Sequence, residues 1–474
     1  MRTIGIDIGT SSIKAVVAEI DGDAHITHSV SKGYSADGAP TRDPQLWVSL
    51  ARDALLELVA FGRADAVGFT GQMHGFVAVD RQGDVAAPVK LWLDMDGAAD
   101  LDRFVAAQGG ATEILRKTGN LPLPDFTLAK WLHALAGDPT LGERLHRLYC
   151  VKDYVRAAFD SAADFVVDAN EACGMQMQDP LTGAWADELL SAARVPRSTL
   201  PEITYAARRA GDGRGLAADL AGVPLVLGVG DQAAAMRAVG VDRAGTLSLS
   251  LGTSGVASLA ADPKDIPAGW GGAFHLFPTG YSRILEVIGT VPAFGGTLRW
   301  LSGLLHLDIG QIDRLAAETR PGDPVPIFLP YLAGSGAPNP FHAAAASLIS
   351  FTADLTAERL VRAVYDGLAQ ELAAIAQEAR ALGIRADRVI FSGQPTKLPQ
   401  LSKTLAAFLD VECFVVDAPS ASAVGAALIA ADHLQAGLNP KLPAQRLATD
   451  KAGLSPAWLA ERERILAGAR SKAG

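Results

Sequence analysis

Cysteine is scarce in this chain, with three among 474 residues, at Cys150, Cys173 and Cys413. They are odd in number and far apart, without a CxxC pair or a Cys/His spacing, which argues against a disulfide framework and a zinc finger. They read as reduced, packed residues, and no local motif marks a catalytic thiol. A basic excess is also missing: Lys and Arg number 42 against 52 Asp and Glu, a formal net charge of −10. That argues against a general affinity for nucleic acid or anionic membrane, so a bound phosphate group has to be held by local donors. No uninterrupted apolar run is long enough to span a bilayer. The opening MRTIGIDIGT passes straight into a strand pattern without a separate apolar leader and cleavage site, and the reduced cysteines make cytoplasmic the expected location. Repeats of solenoid period are absent as well.

What the chain does have is apolar residues, 49% against 20% charged, enough for a sizeable core, and a length that suits two domains. Two segments spell the same device: IGIDIGTSSIKAVVAEI at residues 4–20 and LSLSLGTSGVASLA at residues 247–260. Each is an apolar strand, a Gly-Thr-Ser turn and a second apolar strand. Glycine lets backbone amides approach an anion, Thr and Ser add hydroxyl donors, and successive amides form a phosphate-binding nest. Aligned on Gly-Thr-Ser, Asp7 of the first copy falls on Ser250 of the second. The asymmetry suggests duplicated units that have specialised, the first keeping a carboxylate for a metal and the second holding phosphate with neutral donors.

Along the chain, residues 2–30 read as successive hairpins, residues 44–61 as a helix, and ADAVGFTG at 64–71 as a buried strand. The loop Gly71-Gln72-Met73-His74-Gly75 therefore lies at a strand end, where binding groups are commonly displayed. PLVLGVG at 224–230 reads as another buried strand, followed by an alanine-rich helix from Asp231. The hairpin device restarts after Val241, which puts a domain boundary near residues 238–246. The second half carries a long helix at 357–382, a strand at 387–393 and a small-residue helix at 422–431. From Asp432 onward the chain reads as surface helix and terminal coil.

Several residues carry chemistry in this pattern. Asp7 can hold Mg²⁺ on nucleotide phosphates, since that ion prefers one or two carboxylates with retained waters and phosphate oxygens, or it can satisfy its own turn. Asp231 reads equally as a helix N-cap or as a base that takes the proton of a sugar hydroxyl while a γ-phosphoryl group arrives. His74 and Met73 offer a polar and an apolar contact to a small ligand, against a structural role for a lone histidine. Lys14 can neutralise phosphate or stand exposed on its strand, and Arg299 has a plain reading as a solvated helix residue.

Together these segments resemble the FGGY carbohydrate kinases, members of the actin, Hsp70 and hexokinase group. The resemblance runs from DIGTSS at Asp7 to VGAALIAA at Val424. GQMHG at 71–75, VKDY at 151–154, GVGDQAAA at 228–235 and SLGTSG at 250–255 are most similar to the xylulokinase branch. It implies an α/β fold of two ribonuclease-H-like domains with an interdomain active-site cleft. Residues 1–240 are expected to carry the sugar and the base, and residues 241–474 the ATP. The implied activity is ATP-dependent phosphorylation of a ketose, D-xylulose foremost, with ATP and Mg²⁺ as cofactors. Asp231 matches the catalytic base and Asp7 the metal-associated acid, while Met73 and His74 match the sugar-contacting pair. Thr10, Ser11, Gly252 and Thr253 match phosphate-loop positions, and Gly295, Arg299, Gly393 and Lys397 the nucleotide pocket. The implied partners are small molecules, with neither nucleic acid nor membrane, and a homodimer is the candidate assembly.

The chain departs from that pattern at three places. Where the branch reads Trp-Asn-Asp-Gly-Arg, this chain has Trp92, Leu93, Asp94, Met95 and Asp96, without the arginine. A Gly-Glu-Arg loop is replaced by Gly334, Ser335 and Gly336, and a double glycine by Ser392-Gly393-Gln394. The first two bear on which sugar is taken, leaving another ketose or a polyol open, and the third bears on nucleotide affinity. Two readings of other classes are an actin- or Hsp70-like ATPase and a sugar-binding protein without catalysis. The loops GQMHG and GVGDQ and the pair Asp7 and Asp231 argue against them.

Overall fold

The computed structural model describes residues 1–216, 220–320, 323, 325–340, 344–409, 411–435, 437–448, 460, 461, 464, 465, 467 and 468. In chain order, the elements that matter here begin with β1 (Arg2–Ile8), β2 (Ser12–Ile20), β3 (Ala24–Gly33), α1 (Pro44–Val59) and β4 (Ala66–Gly71). There follow α2 (Val151–Ala158), α3 (Ala169–Gly174), β5 (Leu225–Gly230) and α4 (Asp231–Ala238). The second half supplies β6 (Thr246–Leu251), β7 (Gly255–Ala261), α5 (Phe294–Leu305), α6 (Ala357–Ala381) and β8 (Arg388–Gly393). It closes with β9 (Glu412–Val416), α7 (Ala421–Leu434) and β10 (Ala444–Arg446). Two compact units result, the first formed by Met1–Asp242, Gly269–Glu286 and Ala418–Leu442, the second by Arg243–Ala268, Val287–Asp417 and Pro443–Gly474.

The first unit is built on a five-stranded sheet in the order β3-β2-β1-β4-β5, with β1, β4 and β5 parallel. Strands β4 and β5 are buried along their whole length, as parallel strands covered on both faces must be, and they read as continuous apolar runs for that reason. Trp47, Ala51, Leu55 and Leu58 of α1 join the core of that sheet with Ile6, Phe69 and Phe159. Helix α1 starts where Asp43 accepts the amides of Gln45 and Leu46, at 2.9 and 3.3 Å, with Pro44 needing no acceptor.

Helix α7 covers β1 and β4 so closely that backbone meets backbone. A Cβ on Gly5 would lie 1.8 Å from the Ala423 carbonyl oxygen, and one on Gly68 2.0 Å from that of Ala426. On its other side Gly425 meets α4, where a Cβ would sit 1.8 Å from the Ala234 carbonyl oxygen. The run SAVGAALIAA is thus a packing stripe, and it joins this helix from late in the chain to the first sheet.

The second unit repeats the pattern. Hairpin β6–β7 pairs antiparallel, and β8 runs parallel to β6 with Leu251 opposite Gly393. Strand β9 continues the sheet beside β8, and β10 pairs antiparallel with β9. Strand β10 corrects the reading of the region after Asp432 as helix and coil, since Ala444–Arg446 pairs with Phe414, Val415 and Val416. Helix α7 also runs three residues past the expected Ala431. The three cysteines are free and buried. No helix among the described residues is long and apolar enough to cross a membrane.

Candidate active site

In the first unit, Ile8, Gly71 and Gly230 share one row across β1, β4 and β5, so all three strands end at the same edge of the sheet. Asp7 precedes that row and Asp231 follows it. The two lie close enough for the charge of Asp7 to act on the carboxyl of Asp231. Asp7 is buried, its Oδ1 has no hydrogen-bond partner, and burial pushes its carboxyl up to about 6 against the lowering effects of Lys14 and Ser422. Lys14 stands opposite Asp7 in the hairpin and is exposed.

Asp231 is partly exposed, and its carboxyl is pushed up to about 7, first by burial and next by the charge of Asp7. The cap of α4 is Gly230, whose extended backbone (φ −60°, ψ 160°) starts the helix. Asp231 occupies the first helical position, so the N-cap reading of this residue is corrected. A charge at that position is favoured by the helix dipole, yet desolvation prevails.

The loop after β4 is held to the first Gly-Thr-Ser turn. Gln72 donates to the Gly9 carbonyl at 3.2 Å and accepts from the Thr10 hydroxyl at 3.3 Å, while Trp92 donates to Thr10 at 3.0 Å. Tyr34 donates to the Gly9 carbonyl at 2.9 Å. Thr10 and the exposed Ser11 thus sit in a turn fixed from three sides. Met73 packs against Gly230, where a Cβ would come within 2.7 Å of its sulfur. His74 has a left-handed backbone (φ 62°), and its Nδ1 lies 2.8 Å from the Gly174 carbonyl. A carbonyl only accepts, so Nδ1 carries the proton and Nε2 presents a lone pair. Burial lowers the His74 pKa, which keeps the ring neutral. Phe126 meets the ring edge-on at 4.6 Å, and Phe277 and His275 complete an aromatic wall.

The segment expected to carry an arginine is laced with ion pairs instead. Asp94 accepts from Arg42 Nε at 2.9 Å and from the Leu91 amide at 2.8 Å, and Asp96 pairs with Lys90 and, at 3.6 Å, with His133.

The second unit gathers backbone where the sequence points to nucleotide. The Gly252 amide donates to the Ser254 carbonyl at 3.0 Å and the Gly295 amide to that of Thr253 at 3.0 Å, while a Cβ on Gly295 would lie 2.2 Å from the Gly252 oxygen. Gly393, at φ 84°, lies close against Leu251, and a Cβ there would sit 2.5 Å from the Leu251 oxygen. Gly252, Thr253, Gly295 and Gly393 therefore come together. Arg299 stands one turn further along α5 and is exposed. Lys397 ends the short turn after β8, is exposed, and lines a cavity of about 320 Å³ with Gly310, Asp313, Arg314 and Gln400. Gly336 of the altered loop is fixed by packing, since a Cβ there would lie 2.0 Å from Thr290 Oγ1.

Sequence reasoning passed over Asn170 and Gly174. Asn170 bonds the Gly230 amide at 3.2 Å and Gly174 holds His74, and neither lies in a segment with a local motif.

Comparison with known proteins adds a second line. The sequence matches the FGGY family of carbohydrate kinases, N-terminal domain, over residues 2–238 and C-terminal domain over residues 247–433. It is 28% identical over 452 residues to the xylulose kinase of Escherichia coli K12, covering 92% of this chain and 90% of that one. To the xylulose kinase of Streptomyces coelicolor it is 29% identical over 385 residues, covering 78% and 74%. The fold is that of the xylulose kinase structure from Rhodospirillum rubrum, with a TM-score of 0.88 at 23% identity and full coverage of both chains.

Proposed function

The chain belongs to the FGGY family of carbohydrate kinases, and we propose that it transfers the γ-phosphoryl group of ATP to a hydroxyl of a ketose, D-xylulose foremost. The observation that carries this reading is Asp231, a carboxyl at the sheet edge pushed up to about 7, beside the loop that bears Met73 and His74. A base with a pKa near the working pH takes a hydroxyl proton efficiently while a substantial fraction of it is still ionised. In the proposed step the sugar oxygen forms a bond to the γ-phosphorus, its proton passes to Asp231, and the bond from phosphorus to the β-phosphate oxygen breaks with ADP as leaving group. His74 Nε2 accepts a hydrogen bond from a sugar hydroxyl, and Met73 supplies an apolar contact.

Thr10, Ser11, Gly252 and Thr253 are assigned to the phosphate oxygens: the Thr10 hydroxyl and the Gly252 amide donate within the protein and shape the two turns, and the remaining amide and hydroxyl donors suit an anion. Gly295, Arg299, Gly393 and Lys397 are assigned to the nucleotide, which allots the ATP to the second unit and the sugar and base to the first, whose residues are Met1–Asp242 with Gly269–Glu286 and Ala418–Leu442 rather than an uninterrupted 1–240. Asp7 fits Mg²⁺ as a lone carboxylate with an unpartnered buried oxygen. Among the described residues no group of three or more His, Cys, Asp or Glu could form a protein cage for a metal. Mg²⁺ needs no such cage, because it keeps waters and takes phosphate oxygens. When bound it would offset the charge that develops on the phosphates.

The test is ADP release with Mg-ATP across a panel of pentuloses, hexuloses and polyols, with the product identified by mass spectrometry. The reading expects sugar-dependent turnover led by D-xylulose. A different ketose or polyol in the lead would assign the specificity to the altered segments around Asp96 and Gly334, and no stimulation by any member would overturn the kinase reaction.

A further inference from the structure

Helix α3, Ala169–Gly174, contacts His74 at one end and, at the other, the residue that precedes Asp231. At its start, the fully buried Asn170 accepts the Gly230 amide through Oδ1 at 3.2 Å and donates through Nδ2 to the Pro278 carbonyl at 2.8 Å. Gly230 immediately precedes Asp231, and it is pinned from two sides: a Cβ there would lie 2.6 Å from Asn170 Oδ1 and 2.6 Å from Met73 Cγ. At the other end of the helix, the Gly174 carbonyl takes the Nδ1–H of His74 at 2.8 Å. A Cβ on Gly174 would press on Met73 Cε at 3.1 Å and approach His74 Nδ1 at 3.5 Å.

The helix itself cannot drift. Asp168 caps it by accepting the amides of Asn170 and Glu171 at 2.9 and 3.1 Å, and it is tied to the buried Lys152 at 2.8 Å. Lys152 in turn lies under Gly71, at the end of β4, where a Cβ would meet its own Cβ at 3.3 Å. Every link from Lys152 through Asp168 and Asn170 to Gly230 is inside the protein, where a fixed dipole keeps its direction.

We propose that Asn170 is a positioning residue for Asp231, and that α3 is the rigid spacer that sets the base against the imidazole of His74. The inference rests on the reading of Asp231 as the base. A short helix of six residues spans about 9 Å, a distance suited to holding two groups on either side of one small molecule. Displacing a catalytic group by about 1 Å costs on the order of 10²-fold in rate, so the two ends of α3 should have separable kinetic signatures.

The experiment compares Asn170→Ala with Gly174→Ala in steady-state turnover of D-xylulose and Mg-ATP, with melting curves for each. For Asn170→Ala the expected result is a kcat lowered at least tenfold with the sugar KM within about threefold of wild type. For Gly174→Ala it is a raised sugar KM with a smaller change in kcat. A helix that merely supports the fold would move kcat and KM together, and alike in both variants, and that result overturns the proposal. So does a kcat within twofold of wild type in a folded Asn170→Ala. If that variant is recovered unfolded, Asn170→Ser takes its place under the same two criteria. Absence of sugar-dependent turnover in the wild type would instead defeat the reading of the protein as a ketose kinase, which keeps the two failures distinct.

Discussion

The charge of Asp7 raises the pKa of Asp231, so the two carboxyls at the edge of the first sheet are electrostatically linked. Burial is the larger cause, and together they push Asp231 up to about 7, well over the ordinary 3.8. The pair divides into roles because the environments differ: Lys14 and Ser422 draw Asp7 back to about 6.

A pH dependence follows directly. The base works only when ionised, so kcat/KM for the sugar should fall about tenfold per pH unit below pH 7 and level off above it. A profile flat from pH 8 to pH 5 would show an unshifted carboxyl and remove this account of Asp231.

Stability should run against activity at the same residue. Between pH 3.8 and about 7 the folded protein binds a proton at Asp231 that the unfolded chain has lost, so the contribution of this group to stability falls as pH rises through that window. Asp231→Asn should therefore be more stable than wild type at pH 8, by about 1 to 2 kcal/mol after allowing for partial exposure, with the gap closing toward pH 4. Denaturant unfolding at the two pH values checks it; a variant less stable than wild type at pH 8 would contradict it.

How much of this was legible in the sequence depends on the range of the interaction. The hairpins and their Gly-Thr-Ser turns are local, and β1, β2, β6 and β7 lie where alternation and glycine put them. The small-residue run at 422–431 is visible as a helix, but nothing in it says that its partners are Gly5 and Gly68, more than 350 residues earlier by the numbering. Asn170 and Gly174 act across 60 and 100 residues of chain, through side-chain and carbonyl contacts that leave no periodic trace. Strand Ala444–Arg446 is three exposed residues with no apolar alternation, and only its pairing to β9 defines it.

Close packing at α7 makes a mutational contrast. Gly425→Ala forces a methyl into the Ala234 carbonyl and should cost at least about 2 kcal/mol in unfolding free energy. Gly303→Ala in α5, where a Cβ meets nothing within 4 Å, should stabilise by about 0.5 to 1 kcal/mol. Equal effects of the two would refute the close approach of α7 to its neighbours.

His74 should act on the sugar alone. Its neutral ring, with the proton fixed on Nδ1 by Gly174, offers one acceptor, so His74→Ala should raise the sugar KM about fivefold to tenfold and leave the ATP KM unchanged. A fall in ATP affinity without a change in sugar kinetics would reverse the assignment of the two substrates.

The central claim is that Asp231 removes the proton from the acceptor hydroxyl, and the most direct measurement is kcat of Asp231→Asn with ATP and sugar binding measured separately by calorimetry. The account predicts a kcat lowered by roughly 10²- to 10⁴-fold with ATP affinity retained. A folded Asp231→Asn that binds both substrates and turns over near the wild-type rate would contradict it.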